Sequence, residues 1–116
     1  MPEKTLTIDG NKFSYTYDSK TDTFRFKFSN GNHSFGPWTW GQKNQVTSDC
    51  TKIDPVTGNV ELDVARFSEG MLLTTLKEAP FKIILENLRN LPASLGDTLL
   101  NIAYWVNDFS AQEKKI

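Results

Sequence analysis

The chain has 116 residues and carries 13 basic and 14 acidic side chains, which gives a net charge of −1 at neutral pH. That length suits one domain, and the even charge lacks the basic excess that nucleic-acid binding or membrane attachment requires. One cysteine and one histidine exclude an internal disulfide, a four-cysteine zinc site and any site built from two imidazoles. No apolar stretch approaches the roughly 18 residues of a membrane span, so we expect no membrane partner.

The N-terminal third alternates apolar and polar residues at period two, between clusters of turn-forming residues. This alternation is typical of strands that bury one face of an antiparallel sheet. We predict a β-meander of three or four strands across residues 4–38, with turns at residues 9–11, 18–22 and 29–32. The inward face comprises Leu6, Ile8, Phe13, Tyr15, Tyr17, Phe24, Phe26 and Phe28.

From Thr39 onward the apolar residues recur at helical spacing. Thr39 and Gln42 have the spacing of a capping box and predict a helix over about 40–50. Asp63 can cap a second helix that ends near Leu76. A third apolar segment covers 81–91, and Pro92 opens a final helix, which the apolar spacing extends to about residue 109.

The predicted fold class is therefore α+β: an N-terminal antiparallel meander followed by three or four helices packed on it. We expect a single domain over residues 1–116, β-rich at 4–38 and helical at 39–109, with a frayed polar tail at 110–116. The start of the chain has no apolar signal region, so we expect a cytoplasmic protein.

Few residues are candidates for a catalytic or metal-binding role. We place His33 in a surface turn, where a general base would lack an orienting partner and a pocket. Cys50 stands beside Asp49 at the end of a predicted helix, a position that does not favour a nucleophilic thiolate, so we interpret it as a packing residue. The turn near Gly58 carries Asp54, Asn59, Glu61 and Asp63 without EF-hand spacing. We expect no enzymatic activity, no metal and no cofactor.

Phe35, Trp38 and Trp40 form the densest aromatic cluster in the sequence. Aromatic platforms bind flat ligands such as carbohydrates by stacking, and this alternative function is open at the level of sequence. Nucleic acid is a poor candidate, because single strands also require a positive groove. The competing interpretation is that these rings seal the sheet against the first helix.

Three stretches give the chain a family resemblance: Thr39-Trp40-Gly41-Gln42-Lys43-Asn44, the segment 67–81 with its Glu78-Ala79-Pro80-Phe81 end, and Leu91-Pro92 followed by Gly96-Asp97. In their order and spacing they resemble the small tail assembly chaperones of tailed phages, prophages and related contractile particles. The resemblance covers about residues 24–108. The alternating hairpins at 4–28 are more pronounced than is usual for that family, which leaves open another particle component of similar plan.

The resemblance implies a binding function: the protein would escort an apolar, helical tape-measure protein during assembly. Such a chaperone needs apolar surface beyond its own core. The partner is either a helical client of this kind or a second copy of the chain, and the sequence leaves both open. Our candidate partner-binding residues are Phe81, Ile84, Leu88, Trp105 and Phe109.

Overall fold

A computed structural model describes residues 2–108 of the chain. Four antiparallel strands come first, each paired with the next in sequence. The first turn uses left-handed backbone at Asp9 and Gly10, with φ of 50° and 81°. The strands are β1 (Lys4–Ile8), β2 (Asn11–Asp18), β3 (Thr23–Phe28) and β4 (Gly31–Phe35).

The register places the aromatic side chains of the meander on one face of the sheet. Tyr15 pairs with Phe26, and Phe26 pairs with His33, so these three side chains form one row across β2, β3 and β4. Intervening positions such as Thr16 and Arg25 face the other side. The predicted alternation of the meander is confirmed.

The first two helices begin where the sequence predicts. Thr39 caps α1 (Trp40–Asp49), its hydroxyl accepting the Gln42 N–H at 3.1 Å while the Gln42 side chain accepts the Thr39 N–H at 2.9 Å. Asp63 caps α2 (Val64–Thr75) by accepting the Arg66 N–H at 3.1 Å. Both caps satisfy amides that have no partner inside the helix.

A fifth strand, absent from the sequence prediction, follows α2 without any linking residue. This strand is β7 (Leu76–Glu78), because two strands of a separate hairpin, β5 and β6, precede it in the chain. It pairs antiparallel with β4 and extends the sheet to the order β1-β2-β3-β4-β7. Leu76 is buried in the core, whereas Lys77 and Glu78 are exposed. On the outer face Arg25 reaches both Ser34 and Glu78, at 3.3 and 3.5 Å, across these strands.

The segment expected to be helical over 81–91 contains only one short helix, α3 (Leu85–Arg89). Phe81 and Ile83 pack against the core while Lys82 and Ile84 are exposed. That period-two burial fits extended chain, and Ile84 has extended dihedral angles. The final helix, α4 (Ala93–Asp108), is confirmed where the structure describes it.

The segment between α1 and α2 forms a small hairpin in place of a simple turn. Its strands, β5 (Thr51–Ile53) and β6 (Val60–Leu62), make a separate two-stranded sheet. Its loop closes through the Asp54 N–H, which donates to the Asn59 carbonyl at 2.9 Å, and through Gly58, whose φ is 74°.

The core lies between the aromatic face of the five-stranded sheet and helices α2 and α4. The α+β prediction, a meander followed by helices, is confirmed. The Asn107 side chain joins α4 to two other segments: it accepts the Trp38 N–H at 3.0 Å and donates to the Thr75 hydroxyl at 3.1 Å. The fully buried apolar residues are Phe24, Phe26, Phe35, Met71, Leu99, Ile102, Ala103 and Val106.

Candidate partner-binding surfaces

An open groove of about 560 Å³ runs between the edge strand β1 and helix α4. We call it the edge groove. The register of β1 with β2 places Leu6 and Ile8 on the helix-facing side of the sheet. Asp9 is the one ionisable carboxylate in the lining. The lining residues are Leu6, Thr7, Ile8, Asp9, Asn101, Tyr104 and Trp105.

Trp105 is the half-buried residue that joins the edge groove to the core. Its ring meets those of Tyr15, Phe24 and Phe26 at centroid distances of 5.3, 5.2 and 6.2 Å, with near-perpendicular planes. These edge-to-face contacts fix the orientation of the indole. Tyr104, the next residue of α4, is also half-buried. The helix therefore presents two adjacent rings to the groove from a rigid base.

The other residues predicted to bind a partner lie in different surroundings. Phe81 is half-buried with its ring 5.9 Å from that of His33, and Leu88 is buried in the core. Ile84 is 37% exposed at the start of α3, whereas Phe109 lies outside the described residues. Among the residues that the structure describes, only Trp105 of this set lines the edge groove.

The predicted position of His33 in a surface turn is wrong. The turn is shorter than residues 29–32, because β4 begins at Gly31 and pairing with Phe26 directs His33 to the core face. The imidazole is fully buried, 4.7 Å from the ring of Phe28, and neither nitrogen has a hydrogen-bond partner within residues 2–108. Burial lowers the pKa of His33 from its ordinary value of 6.5.

Cys50 is a buried free thiol at the C-terminal cap of α1, which agrees with the prediction of a packing residue. The polar residues of the following turn serve local structure. Asp54 accepts the Val56 N–H at 2.8 Å, and Asp63 caps α2. Within the described ranges no three His, Cys, Asp or Glu side chains are grouped as a metal site would require.

The three rings of the alternative aromatic site do not share a surface. Phe35 is fully buried, and Trp38 is half-buried with its ring 5.8 Å from that of Phe67. Trp40 is 81% exposed on the first turn of α1. A flat ligand stacked on Trp40 would have no contact with Phe35, so the structure gives the carbohydrate-binding alternative no common platform.

Sequence reasoning missed the apolar side chains of the β5–β6 hairpin. Ile53 and Val60 are 69% and 67% exposed, and Val56 at the loop is 91% exposed. A signal was present, since short alternating runs flank Pro55 and Gly58, which are turn formers. The sequence prediction assigned a turn to this segment and gave no role to the apolar residues on either side of it.

Comparison with models of protein families, with curated proteins and with solved structures finds no match for this chain. Over residues 2–108, no helix combines the length and the apolar character needed to cross a bilayer. Proposals about function therefore rest on the surfaces described above and on the sequence resemblance.

Proposed function

We propose that this chain is a non-enzymatic assembly protein that binds an apolar segment of another polypeptide in the edge groove. The observation that carries the proposal is the composition of that groove, where Leu6 and Ile8 face Tyr104 and Trp105 at an open sheet edge. Tyrosine and tryptophan are favoured anchors in protein interfaces, because they bury a large area at low entropic cost.

The shape of the edge groove favours a helical client over a small molecule. The groove is an open channel beside α4, whose lining residues Asn101, Tyr104 and Trp105 have the i, i+3, i+4 spacing of one helix face. A second helix lying along that face would insert apolar side chains at the same spacing. The lining spans little more than one turn, so the client would place two or three anchoring side chains in it.

This client agrees with the one that the sequence resemblance implies. Tail assembly chaperones escort long apolar helices, and the proposal assigns that kind of partner to the edge groove. Trp105 is common to the sequence prediction and to the groove. The non-enzymatic part of the proposal is supported by the burial of His33 and Cys50, which removes from solvent the two side chains most suited to nucleophilic or acid–base chemistry at neutral pH.

The test uses a matched pair of substitutions on β1. Ile8→Lys places a charge in the edge groove, whereas Thr5→Lys places the same charge on the same strand but on the outer face. Asn101→Arg tests the groove from α4 at an exposed position, where the fold tolerates a larger side chain. Each variant is co-expressed with the products of neighbouring genes, and the melting temperature of each is recorded.

We expect Ile8→Lys and Asn101→Arg to abolish co-purification of a client that the wild type and Thr5→Lys retain. Amide chemical-shift changes on adding that client should concentrate in β1 and in α4 near Trp105. Retention of the client by both groove variants, with melting temperatures unchanged, would overturn the proposal. Trp105→Ala is a weaker test, because its three ring contacts make loss of folding the expected result.

A further inference from the structure

One imidazole lies in the core without a hydrogen-bond partner among residues 2–108. His33 is fully buried on the core face of β4, and neither of its ring nitrogens is bonded. A neutral imidazole has one donor and one acceptor, whereas an imidazolium has two donors and a full charge. Burying the charged form without a partner costs much more free energy than burying the neutral form. The core therefore accepts His33 only while the ring is neutral.

The immediate surroundings of the imidazole are aromatic. The ring of Phe28 on β3 lies 4.7 Å from that of His33 with its plane nearly perpendicular, and the ring of Phe81 lies 5.9 Å away. Burial lowers the pKa of His33, and the Gly31 backbone, which acts in the opposite direction, does not meet the geometry of a hydrogen bond. The site thus holds no acceptor in position to bond a protonated ring.

The elements around His33 also bring no charge into the site. Tyr15, the titratable group of the same row, is separated from His33 by Phe26, and burial raises its pKa, so it stays neutral. On α2, Glu69 is half-buried and accepts hydrogen bonds from Arg89. The other charged residues are exposed: Arg25 and Lys27 on β3, Arg66 on α2, Lys77 and Glu78 on β7, Lys82, Glu86 on α3 and Asp97 on α4. A proton on the imidazole would have no counter-charge in the core.

Residues 79–84, which we call the cover segment, close the site beside β4. The pairing of β7 with β4 ends at Glu78, and Pro80 has no N–H with which to extend it. Pro80 instead packs directly on the β4 backbone, since a Cβ at Gly31 would lie 3.0 Å from the Pro80 Cβ. Phe81 comes next and places its ring beside the imidazole. Side-chain packing therefore holds the cover segment on β4.

The two sides of the imidazole site are attached with different strength. β4 pairs with β3 at five consecutive positions, whereas it pairs with β7 at two positions with a register shift between them. The Lys82 carbonyl of the cover segment accepts the Ile84 N–H at 3.0 Å and the Asn87 side-chain amide at 2.8 Å. These bonds link the cover segment to α3 and need not break when it leaves β4. The cover segment is therefore the side that opens at lower cost.

We infer that His33 and the cover segment form a pH-sensitive latch, in which protonation of the imidazole at mildly acidic pH releases residues 79–84 from β4. Opening of the cover segment gives the imidazolium the water that it lacks in the core. Each pH unit below about 6.5 then favours the open form by up to about tenfold. Opening exposes Phe81 and Ile83, and Phe81 is among the residues that the sequence predicts to bind a partner. The latch lies beside β4 and does not depend on the edge groove.

The test follows the imidazole and its cover by NMR between pH 7.5 and pH 4.5. His33 is the chain's one histidine, so its ring protons report protonation without overlap from another imidazole. At pH 7.5, NOEs should connect these protons to the ring of Phe81. They should be lost as the imidazole is protonated, while NOEs between the Phe26 and Trp105 rings persist. Persistence of the second set separates opening of the cover segment from unfolding.

Two matched substitutions change a half-buried phenylalanine to leucine. Phe81→Leu weakens the cover segment, whereas Phe67→Leu removes the same atoms from a ring that packs on Trp38. We expect Phe81→Leu to raise the pH midpoint of opening by about half a unit or more, which is roughly a threefold change in the opening ratio. Phe67→Leu should leave the midpoint unchanged. In His33→Leu, the methyl groups at position 33 should keep their NOEs to Phe81 at pH 4.5.

Several results contradict the latch. Imidazole–Phe81 NOEs that survive protonation show that the cover segment stays closed, and an imidazole still neutral at pH 4.5 shows that the latch does not operate. Loss of the Phe26–Trp105 NOEs over the same pH range means that the whole fold opens. Equal shifts of the midpoint in Phe81→Leu and Phe67→Leu, or release of the cover segment at the same pH in His33→Leu, assign the opening to other groups.

Discussion

Two regions of this molecule are stabilised in different ways. The sheet–α4 region, residues 4–35 with α4, buries Phe24, Phe26 and Phe35 beneath Leu99 and Ile102, each at 0 or 1% exposure. The α1–hairpin region, residues 40–62, contains one buried residue, Cys50. Burial of apolar area is the main favourable term in folding, so the first region carries most of the stability.

Local hydrogen bonds determine the conformation of the α1–hairpin region. The Thr39 capping box starts α1, and Asp54 closes the hairpin loop through backbone and side-chain bonds. Each such bond contributes only about 0.5–1.5 kcal/mol net. The comparison shows that a segment can have a defined shape without a core of its own, and its apolar residues then remain available to a partner.

The largest expected effect comes from truncating the aromatic core. Phe26→Ala should lower the free energy of unfolding by about 3–5 kcal/mol, because it leaves a cavity beside Tyr15, Phe35 and Trp105. Val60→Ala in the hairpin should change it by less than about 0.5 kcal/mol. Urea unfolding at micromolar concentration measures both. Similar losses for the two variants would remove the distinction between the regions.

Protonation of His33 should destabilise the sheet–α4 region at mildly acidic pH. Burial lowers the folded-state pKa of His33 below 6.5, so between the two pKa values the unfolded chain binds the additional proton. Stability is therefore fully present above about pH 6.5 and falls as the pH drops towards the folded-state pKa. Urea midpoints measured from pH 7.5 to pH 5 should show this decrease.

His33→Leu provides the control for that decrease. His33 is the chain's one histidine, and carboxylates titrate near pH 4 or below. Glu69, for example, has its pKa lowered by the hydrogen bond from Arg89. The variant should therefore show a flat stability profile between pH 7.5 and pH 5. An unchanged slope in His33→Leu would assign the pH dependence to other groups.

The packing of the α1–hairpin region against α2 can be tested at Gly70. A Cβ at this position would lie 2.8 Å from a methyl carbon of Val46, where α2 passes α1. Overpacking of this kind costs about 1–3 kcal/mol and outweighs the gain of about 1 kcal/mol from replacing glycine in a helix. Gly70→Ala should therefore destabilise the wild type, as measured by chemical denaturation.

The sign of that effect should reverse when Val46 is shortened. In a Val46→Ala background the methyl group is absent, and Gly70→Ala should then stabilise the protein by about 1 kcal/mol through helix propensity. A double-mutant cycle gives the coupling between the two positions. Additive effects would mean that α1 and α2 do not pack closely here.

A small effect is also expected at the α1 cap. Thr39→Ala should cost about 1 kcal/mol, since it leaves the Gln42 N–H without its acceptor. Thr47→Ala, in the last turn of the same helix, should be neutral or slightly stabilising, because alanine has the higher helix propensity. Hydrogen exchange of α1 amides should detect the difference. Equal protection in both variants would contradict a locally stabilised helix.

Features with a local signal were predictable from the sequence. The alternation of residues 4–28 and the caps at Thr39 and Asp63 depend on residues close in the chain. The strand β7 has no such signal, because its three residues form a strand only by pairing with β4, some 40 residues earlier. The burial of His33 likewise depends on register with β3.

The candidate site was less predictable than the fold. Helical spacing correctly placed Trp105 on the last helix, but its distance from the edge strand β1 depends on how α4 lies across the sheet. The conformation of segment 81–84 was unpredictable for the same reason, since its apolar residues suit a helix or an extended chain equally. Long-range packing decides between the two, and it is encoded by no single segment.

The order of the sheet and its covering helix along the chain has a consequence for synthesis. The meander is complete once Phe35 has been added, whereas α4 covers its aromatic face only when Val106 follows, 71 residues later. At a typical rate of 5–20 residues per second this interval is roughly 4–14 s. During that time the nascent chain contains the residues of the meander without the helix that covers their phenylalanine and tyrosine rings, and the β4 edge has no partner until residues 76–78 are added. A general chaperone that binds exposed apolar segments would therefore have the most access to this chain while it is still on the ribosome.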